Sequence, residues 1–179
     1  SLDVSNHTNL TLLYCFKNKL TILDVSNSPD LTELRCYSNK LKNLDVSNNT
    51  NLTQLKCLDN KLTSLDVSNN TALIFLRCQN NQLTSLDVSG LTSVEHLICD
   101  SNQISSLDLT TNTALTLFNC SNNQLTSLDV RNGNNVNIWS FNAENNPSLF
   151  CVSVDEISRP TKDWHWDIDP QNNYSLSCP

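Results

Sequence analysis

Six of the eight cysteines stand at Cys15, Cys36, Cys57, Cys78, Cys99 and Cys120, every interval being 21 residues. An asparagine follows three residues behind each, at Asn18, Asn39, Asn60, Asn81, Asn102 and Asn123. A Leu-Asp pair recurs at the same period, its Asp at Asp3, Asp24, Asp45, Asp66, Asp87, Asp108 and Asp129. Thiols and carboxylates in register suggest three chemistries: disulfide cross-linking, thiolate metal binding and calcium binding. Each meets an objection. Side chains on adjacent in-register strands point the same way with Cβ atoms about 4.8 Å apart, against the ~3.8 Å that a disulfide prefers. The six are therefore expected to be free, buried thiols acting as small apolar residues. A metal site wants ligands converging from several directions, and no histidine occupies the flanking positions. A calcium coil wants several oxygens and a glycine-bearing turn per repeat, whereas the chain has only Gly90 and Gly133. The Asp column is expected to cap turns beside its Ser.

Catalysis finds little to use. The three histidines, His7, His96 and His165, are scattered over separate regions, and no nucleophile–base–acid set is discernible. His96 with Asp100 is the nearest approach to a pair, and it lacks a third partner. The expectation is a non-enzymatic protein with no cofactor and no metal.

The elements that position these columns follow from the period. One unit, Leu52 to Val67, reads LTQLKCLDNKLTSLDV, and the chain is mostly copies of it. A fixed short period with apolar residues in register is the mark of a solenoid, whose units bury their apolar sides only by stacking on neighbours. Leu10, Leu13, Cys15, Leu20, Leu23 and Val25 are the inward positions, repeated through Leu115, Phe118, Cys120, Leu125, Leu128 and Val130. Alternation around Leu12 to Phe16 predicts a strand in each coil, and stacked coils give a parallel sheet. The remainder of each unit is too short for a full α-helix with two turns, so the outer side should be extended or 3₁₀-like. Each Asn three residues after Cys should turn inward and satisfy the turn's backbone. In the seventh unit Val136, Trp139 and Phe141 stand for Leu, Leu and Cys, and Glu144 for the Asn.

The unit L-x-x-L-x-C-x-x-N-x-L resembles the leucine-rich repeat, with Cys where the third Leu usually sits. Its 21-residue length, cysteine ladder and TxLDVSxN linker are most similar to the internalin J-like bacterial surface proteins. The resemblance covers Leu2 to about Pro147. It implies a leucine-rich-repeat horseshoe, α/β in superfamily but β-rich, with a parallel sheet on the concave face. CVSVDE at Cys151 to Glu156, then Trp164, then YSLSC ending at Cys178, is similar to the C-terminal cap of secreted bacterial leucine-rich-repeat proteins. Residues 1–147 are accordingly read as repeats and 148–179 as a cap. Cys151 and Cys178, outside the 21-residue register, are its natural disulfide pair, which implies an oxidising setting at or beyond the cell surface. Trp164 and Trp166, alternating around His165, would seal the last coil or stack on sugars. The chain opens inside a repeat and is read as a fragment without its N-terminal cap, so a missing signal segment says nothing of compartment.

Net charge is −7, yet residues 1–85 carry eight Lys/Arg against seven Asp/Glu and residues 86–179 three against eleven. An acidic chain argues against nucleic acid as partner, and no apolar run is long enough to span a membrane. A horseshoe binds through the outward positions of its strands. One column reads Tyr14, Arg35, Lys56, Arg77, Ile98, Asn119, Ser140; a second, just after Cys, reads Phe16, Tyr37, Leu58, Gln79, Asp100, Ser121, Asn142. A third reads Leu12, Glu33, Gln54, Phe75, His96, Leu117, Ile138. Tyr14, Phe16, Tyr37, Leu58 and Phe75 beside Arg35, Lys56 and Arg77 suit a binding surface. An anionic or carbohydrate-bearing partner would explain both groups. The chain is expected to be a monomer, and the resemblance implies adhesion to a protein or glycan on another surface. Three alternatives stand beside it. The face is merely solvated, with Glu33 and Asp59 balancing the cations; or the module is a spacer without a ligand. In the third, the hydroxyl column Thr21, Thr63, Thr84, Ser105 and Thr126, broken by Lys42, binds ice or polysaccharide.

Overall fold

The computed structural model describes residues 2–155 and 165–178. Among them the chain winds as a solenoid built from three-residue strands. Eight strands form one parallel sheet: β1 (Leu12–Tyr14), β2 (Glu33–Arg35), β3 (Gln54–Lys56), β4 (Phe75–Arg77), β5 (His96–Ile98), β7 (Leu117–Asn119), β9 (Ser140–Asn142) and β11 (His165–Asp167). The middle residues face inward and lie opposite one another: Leu34, Leu55, Leu76, Leu97, Phe118 and Phe141. All six are fully buried. The strands are short because each unit must turn in twice more within a few residues, at the Leu three before that position and the Cys two after it. The turn beyond Cys is made by a residue in the left-handed region: Lys17, Ser38, Asp59, Asn80, Ser101, Asn122 and Asn145, with φ between 52° and 58°. Asn and Asp, which hold four of the seven positions, tolerate that region better than most side chains, so the coil turns without glycine.

From the second coil on, the ladder Asn next to the turn ties two coils together, whereas Asn18 bonds within its own coil. Asn39 Nδ2 donates to Cys36 O at 2.9 Å in its own coil and to Cys15 O at 3.0 Å in the coil before, while its Oδ1 accepts from Leu20 N at 2.9 Å. Asn60, Asn81, Asn102 and Asn123 repeat the arrangement. Sequence reasoning placed the amide on its own turn; the structure adds the bond to the preceding coil. A second buried Asn column, which sequence reasoning missed, lies on the opposite turn. Asn70 Nδ2 donates to Val46 O at 3.0 Å and Asn49 O at 2.9 Å, and Asn49 and Asn112 do likewise. Leu91 takes that place in one coil, fully buried.

The seventh coil corrects the expected alignment. Phe141 lies opposite Phe118, and Ser140 and Asn142 lie opposite Leu117 and Asn119. Ala143 then stands for Cys120, Ile138 for Leu115 and Asn146 for Asn123; all three are fully buried. Asn146 makes the ladder's bonds, accepting from Leu125 N and donating to Cys120 O and Ala143 O. The coil is thus two residues longer, and a 3₁₀ turn at Asn135–Asn137 lies in the longer stretch. Val136 and Trp139, expected inside, are 40% and 49% exposed. Ile138, expected on the concave face, is core, and Glu144 is exposed outside the Asn ladder.

On the outer side the segments are extended, as expected. Those of the later coils pair as a second parallel sheet: β6 (Ser106–Asp108), β8 (Ser127–Asp129), β10 (Cys151–Ser153) and β12 (Asn173–Ser175). The closing residues therefore extend both sheets, β11 on one wall and β10 and β12 on the other. Cys151 and Cys178 are joined by a disulfide with Cα atoms 5.8 Å apart. Trp164 and the side chain of Trp166, read as a seal for the last coil, lie outside the described residues.

Candidate functional site

The six ladder cysteines are free and buried. Burial pushes the thiols of Cys36, Cys57, Cys78, Cys99 and Cys120 far above the usual range, which leaves them protonated and inert. The Asp column accepts backbone N–H bonds: Asp24 from Ser26 and Asp45 from Ser47, each at 2.9 Å, repeated from Asp3 to Asp108. The neighbouring Ser lowers the carboxyl of Asp24 and Asp45 through its hydroxyl and its N–H. Of the hydroxyl column, Thr126 Oγ1 is committed to Ser105 O at 3.2 Å. No group of three His, Cys, Asp or Glu placed to hold a metal ion occurs among the described residues.

The first and third residues of the concave strands β1 to β9 point outward, as does the residue after Cys, so the three columns run side by side across the sheet. On the first two rungs the columns interlock. Tyr14 Oη donates to Glu33 Oε2 at 2.6 Å, Arg35 is paired with Glu33 Oε1, and the Arg35 guanidinium lies 4.4 Å over the Tyr14 ring. Phe16 and Tyr37 are stacked with centroids 4.6 Å apart and planes 4° from parallel. Glu33, 8% exposed, is held below the usual carboxylate range by the Tyr14 and Arg35 hydrogen bonds acting against its burial. Of the two acids that the solvated-face alternative sets against the cations, Glu33 pairs with Arg35 alone. Asp59 instead accepts from Ser38 Oγ and Asn80 Nδ2.

Lys56 and Arg77 follow on β3 and β4, half-buried, and no ion pair to either is formed among the described residues. Burial and then Arg35 and Arg77 pull the Lys56 ammonium below its ordinary range, with Glu33 opposing. Leu58 continues the column of Phe16 and Tyr37. Phe75 meets His96 edge-on at 4.8 Å, and His96 meets Trp139 at 6.3 Å, so Trp139 joins the face from the seventh coil. Sequence reasoning missed that; the signal was the spacing of 23 from Asn123 to Asn146, which shifts Trp139 outward. Burial and Arg77 lower the His96 imidazole. His96 and Asp100 do not form a pair: Asp100 takes Ser101 Oγ and Asn119 Nδ2. The eight candidate residues thus lie on one face of four consecutive coils. Only Tyr14 with Arg35, and Phe16 with Tyr37, make direct ring contacts with one another.

The model of the LVIVD repeat matches residues 13–39, little more than one coil. None of the curated proteins matches the chain. Among solved structures, the functional domain of InlJ from Listeria monocytogenes, which includes a cysteine ladder, is 33% identical over 97% of this chain with a TM-score of 0.78. An internalin, InlF, from the same organism is 22% identical over 98% of the chain with a TM-score of 0.67. The leucine-rich-repeat protein LIC12759 of Leptospira interrogans is 19% identical over 96%, also with a TM-score of 0.67. The chain spans 40% of the InlJ domain and 50% of each of the other two; the last two likenesses show the fold alone. Period, buried thiol ladder, Asn ladder and the InlJ likeness agree: the chain belongs to the leucine-rich-repeat proteins, in the internalin J-like form whose 21-residue coils carry a cysteine ladder.

Proposed function

We propose that this chain is a non-catalytic recognition module of a secreted or surface-displayed bacterial protein, engaging a protein or glycan through its concave face. Residues 148–179 serve as the closing cap. The observation that carries the reading is the sector formed by Tyr14, Phe16, Arg35, Tyr37, Lys56, Leu58, Phe75 and Arg77. It sets aromatic and aliphatic side chains beside two half-buried cations that have no ion pair among the described residues. A wall that only had to be wetted has no need of such cations, whereas Arg and aromatic side chains are what binding surfaces concentrate. The likeness to the InlJ functional domain supports the same assignment, and the disulfide Cys151–Cys178 supports an oxidising location.

The test is a capture screen against immobilised glycans, glycoproteins and cell-surface extracts. The protein and its Arg35→Glu/Lys56→Glu/Arg77→Glu variant are run together at low and physiological salt. Salt-sensitive capture that the variant loses is the expected result. Capture retained by the variant places recognition elsewhere, and silence from both favours a spacer without a ligand of its own.

A further inference from the structure

We propose that the unpaired cations Lys56 and Arg77, between the Phe16–Tyr37 stack and the Phe75–His96–Trp139 strip, dock an acidic polypeptide segment of the partner rather than a carbohydrate. The inference rests on the concave face being the recognition surface, and it narrows the ligand class. Sugars are held by aromatic residues when a pyranose lies flat on an open ring face, a site of negative quadrupole. On this surface the aromatic rings are already engaged with neighbours rather than standing alone. Arg35 covers Tyr14 at 4.4 Å. Phe16 and Tyr37 each give a face to the other at 4.6 Å. Phe75, His96 and Trp139 are locked edge-to-face. Beside these rings lies aliphatic surface, including half-buried Leu58, which suits apolar side chains.

The charge selects the other half of the ligand. Glu33 pairs with Arg35, whereas Lys56 and Arg77 stand on adjacent rungs without an ion pair among the described residues. That arrangement is mildly repulsive, and Glu33 only partly offsets it at Lys56. Carboxylates placed over them relieve that repulsion and are only partly screened at a half-buried site. Spacing is compatible. Rungs rise about 4.8 Å, and in a strand laid along the solenoid axis alternate side chains are about 6.7 Å apart. Two carboxylates on one side of such a strand come within reach of the long side chains of Lys56 and Arg77, which lie opposite each other on adjacent rungs.

The experiment is a fluorescence-anisotropy titration of the whole chain with three probes: an alternating Glu-Leu peptide of about twelve residues, enough to cross four rungs, its Gln-Leu counterpart, and an oligogalacturonate of equal charge. Lys56→Gln/Arg77→Gln is compared with Lys42→Gln/Lys61→Gln, which removes the same net charge from exposed sites elsewhere. The Glu-Leu peptide should bind best. Its affinity should fall about tenfold in the first variant and stay within about twofold in the second. If the oligogalacturonate binds as tightly and is lost with Lys56 and Arg77, the ligand class is wrong while the concave-face reading stands. Equal losses in both variants mean bulk electrostatics and overturn the inference. So does failure of both charged probes to bind, and the triple-variant capture screen then decides the broader reading separately.

Discussion

The inner wall of the coil and its concave outer face are made from alternating residues of the same strands, yet they change along the stack in opposite ways. Inward, the middle strand position reads Leu34, Leu55, Leu76, Leu97, Phe118, Phe141, fully buried throughout. Outward, one residue further on, it reads Arg35, Lys56, Arg77, Ile98, Asn119, Asn142. The wall is uniform because each coil is packed by the next, and a cavity or clash is felt on both sides. The fold demands little of the outward column beyond tolerance of a strand, so its residues are free to change from coil to coil. Within one chain the repeats act as repeated trials: sameness marks what the fold requires, and difference marks what it leaves free.

The largest effects should come from breaking the wall. Asn60→Leu strands the buried Leu41 N and takes one of two donors from Cys36 O and Cys57 O, which keep Asn39 and Asn81. It should cost about 3 kcal/mol, the buried unsatisfied donor alone costing about 1–3 kcal/mol. Asn70→Leu, at the column where Leu91 already stands in another coil, should cost only about 1 kcal/mol, because it forfeits net bonds rather than a turn. Urea midpoints compare the two, and equal losses would remove the distinction between the ladders. Opening Cys151–Cys178 by a double Ser substitution should cost roughly 3 kcal/mol for the 27-residue separation in the chain-entropy account. That loss should be confined to the closing end and visible as faster hydrogen exchange in β10 and β12.

Within the thiol column, Cys57→Ser should cost about 2 kcal/mol by burying a hydroxyl. Cys57→Ala should cost about 1 kcal/mol, because Ala143 fills the same place in the seventh coil. A reversed order would mean that the thiol is more than packing. Acid should weaken the whole stack gradually. The Asp column is held below the ordinary carboxyl value by its Ser partners. The stabilisation it gives is therefore complete above the unfolded value near pH 4 and lost as pH falls through the folded values. Half-buried Asp100, raised by burial, has the opposite sign and offsets a small part. Urea midpoints that stay flat from pH 6 to about pH 2 would contradict this.

How much of this was legible follows from the same contrast. The inward positions of the first six coils could be read from the period, because close packing leaves the sequence little choice there. The seventh could not: apolar Val136 and Trp139 fall where Leu is expected, and only the spacing from Asn123 to Asn146 betrays the two added residues. The contacts of the concave face were hidden for a different reason. Glu33 reaches back to Tyr14, and Trp139 reaches across a coil to His96; such choices belong to long side chains, not to the period. The second sheet was also unreadable locally. Ser-Leu-Asp at β8 repeats Ser64–Asp66 letter for letter, yet only the later copies pair as strands; the local sequence holds no reason for the difference.

Lys56 and Cys57 are neighbours in the chain and point to opposite sides of the wall, so together they test the separation of roles most directly. Urea midpoint and partner capture should be measured on Lys56→Gln and Cys57→Ser in parallel. Cys57→Ser should lower the midpoint and keep capture. Lys56→Gln should leave the midpoint unchanged, or raise it by a few tenths of a kcal/mol as repulsion with Arg77 is removed, and weaken capture. If Lys56→Gln destabilises the fold while capture persists, the concave cations are part of the scaffold and the recognition face lies elsewhere.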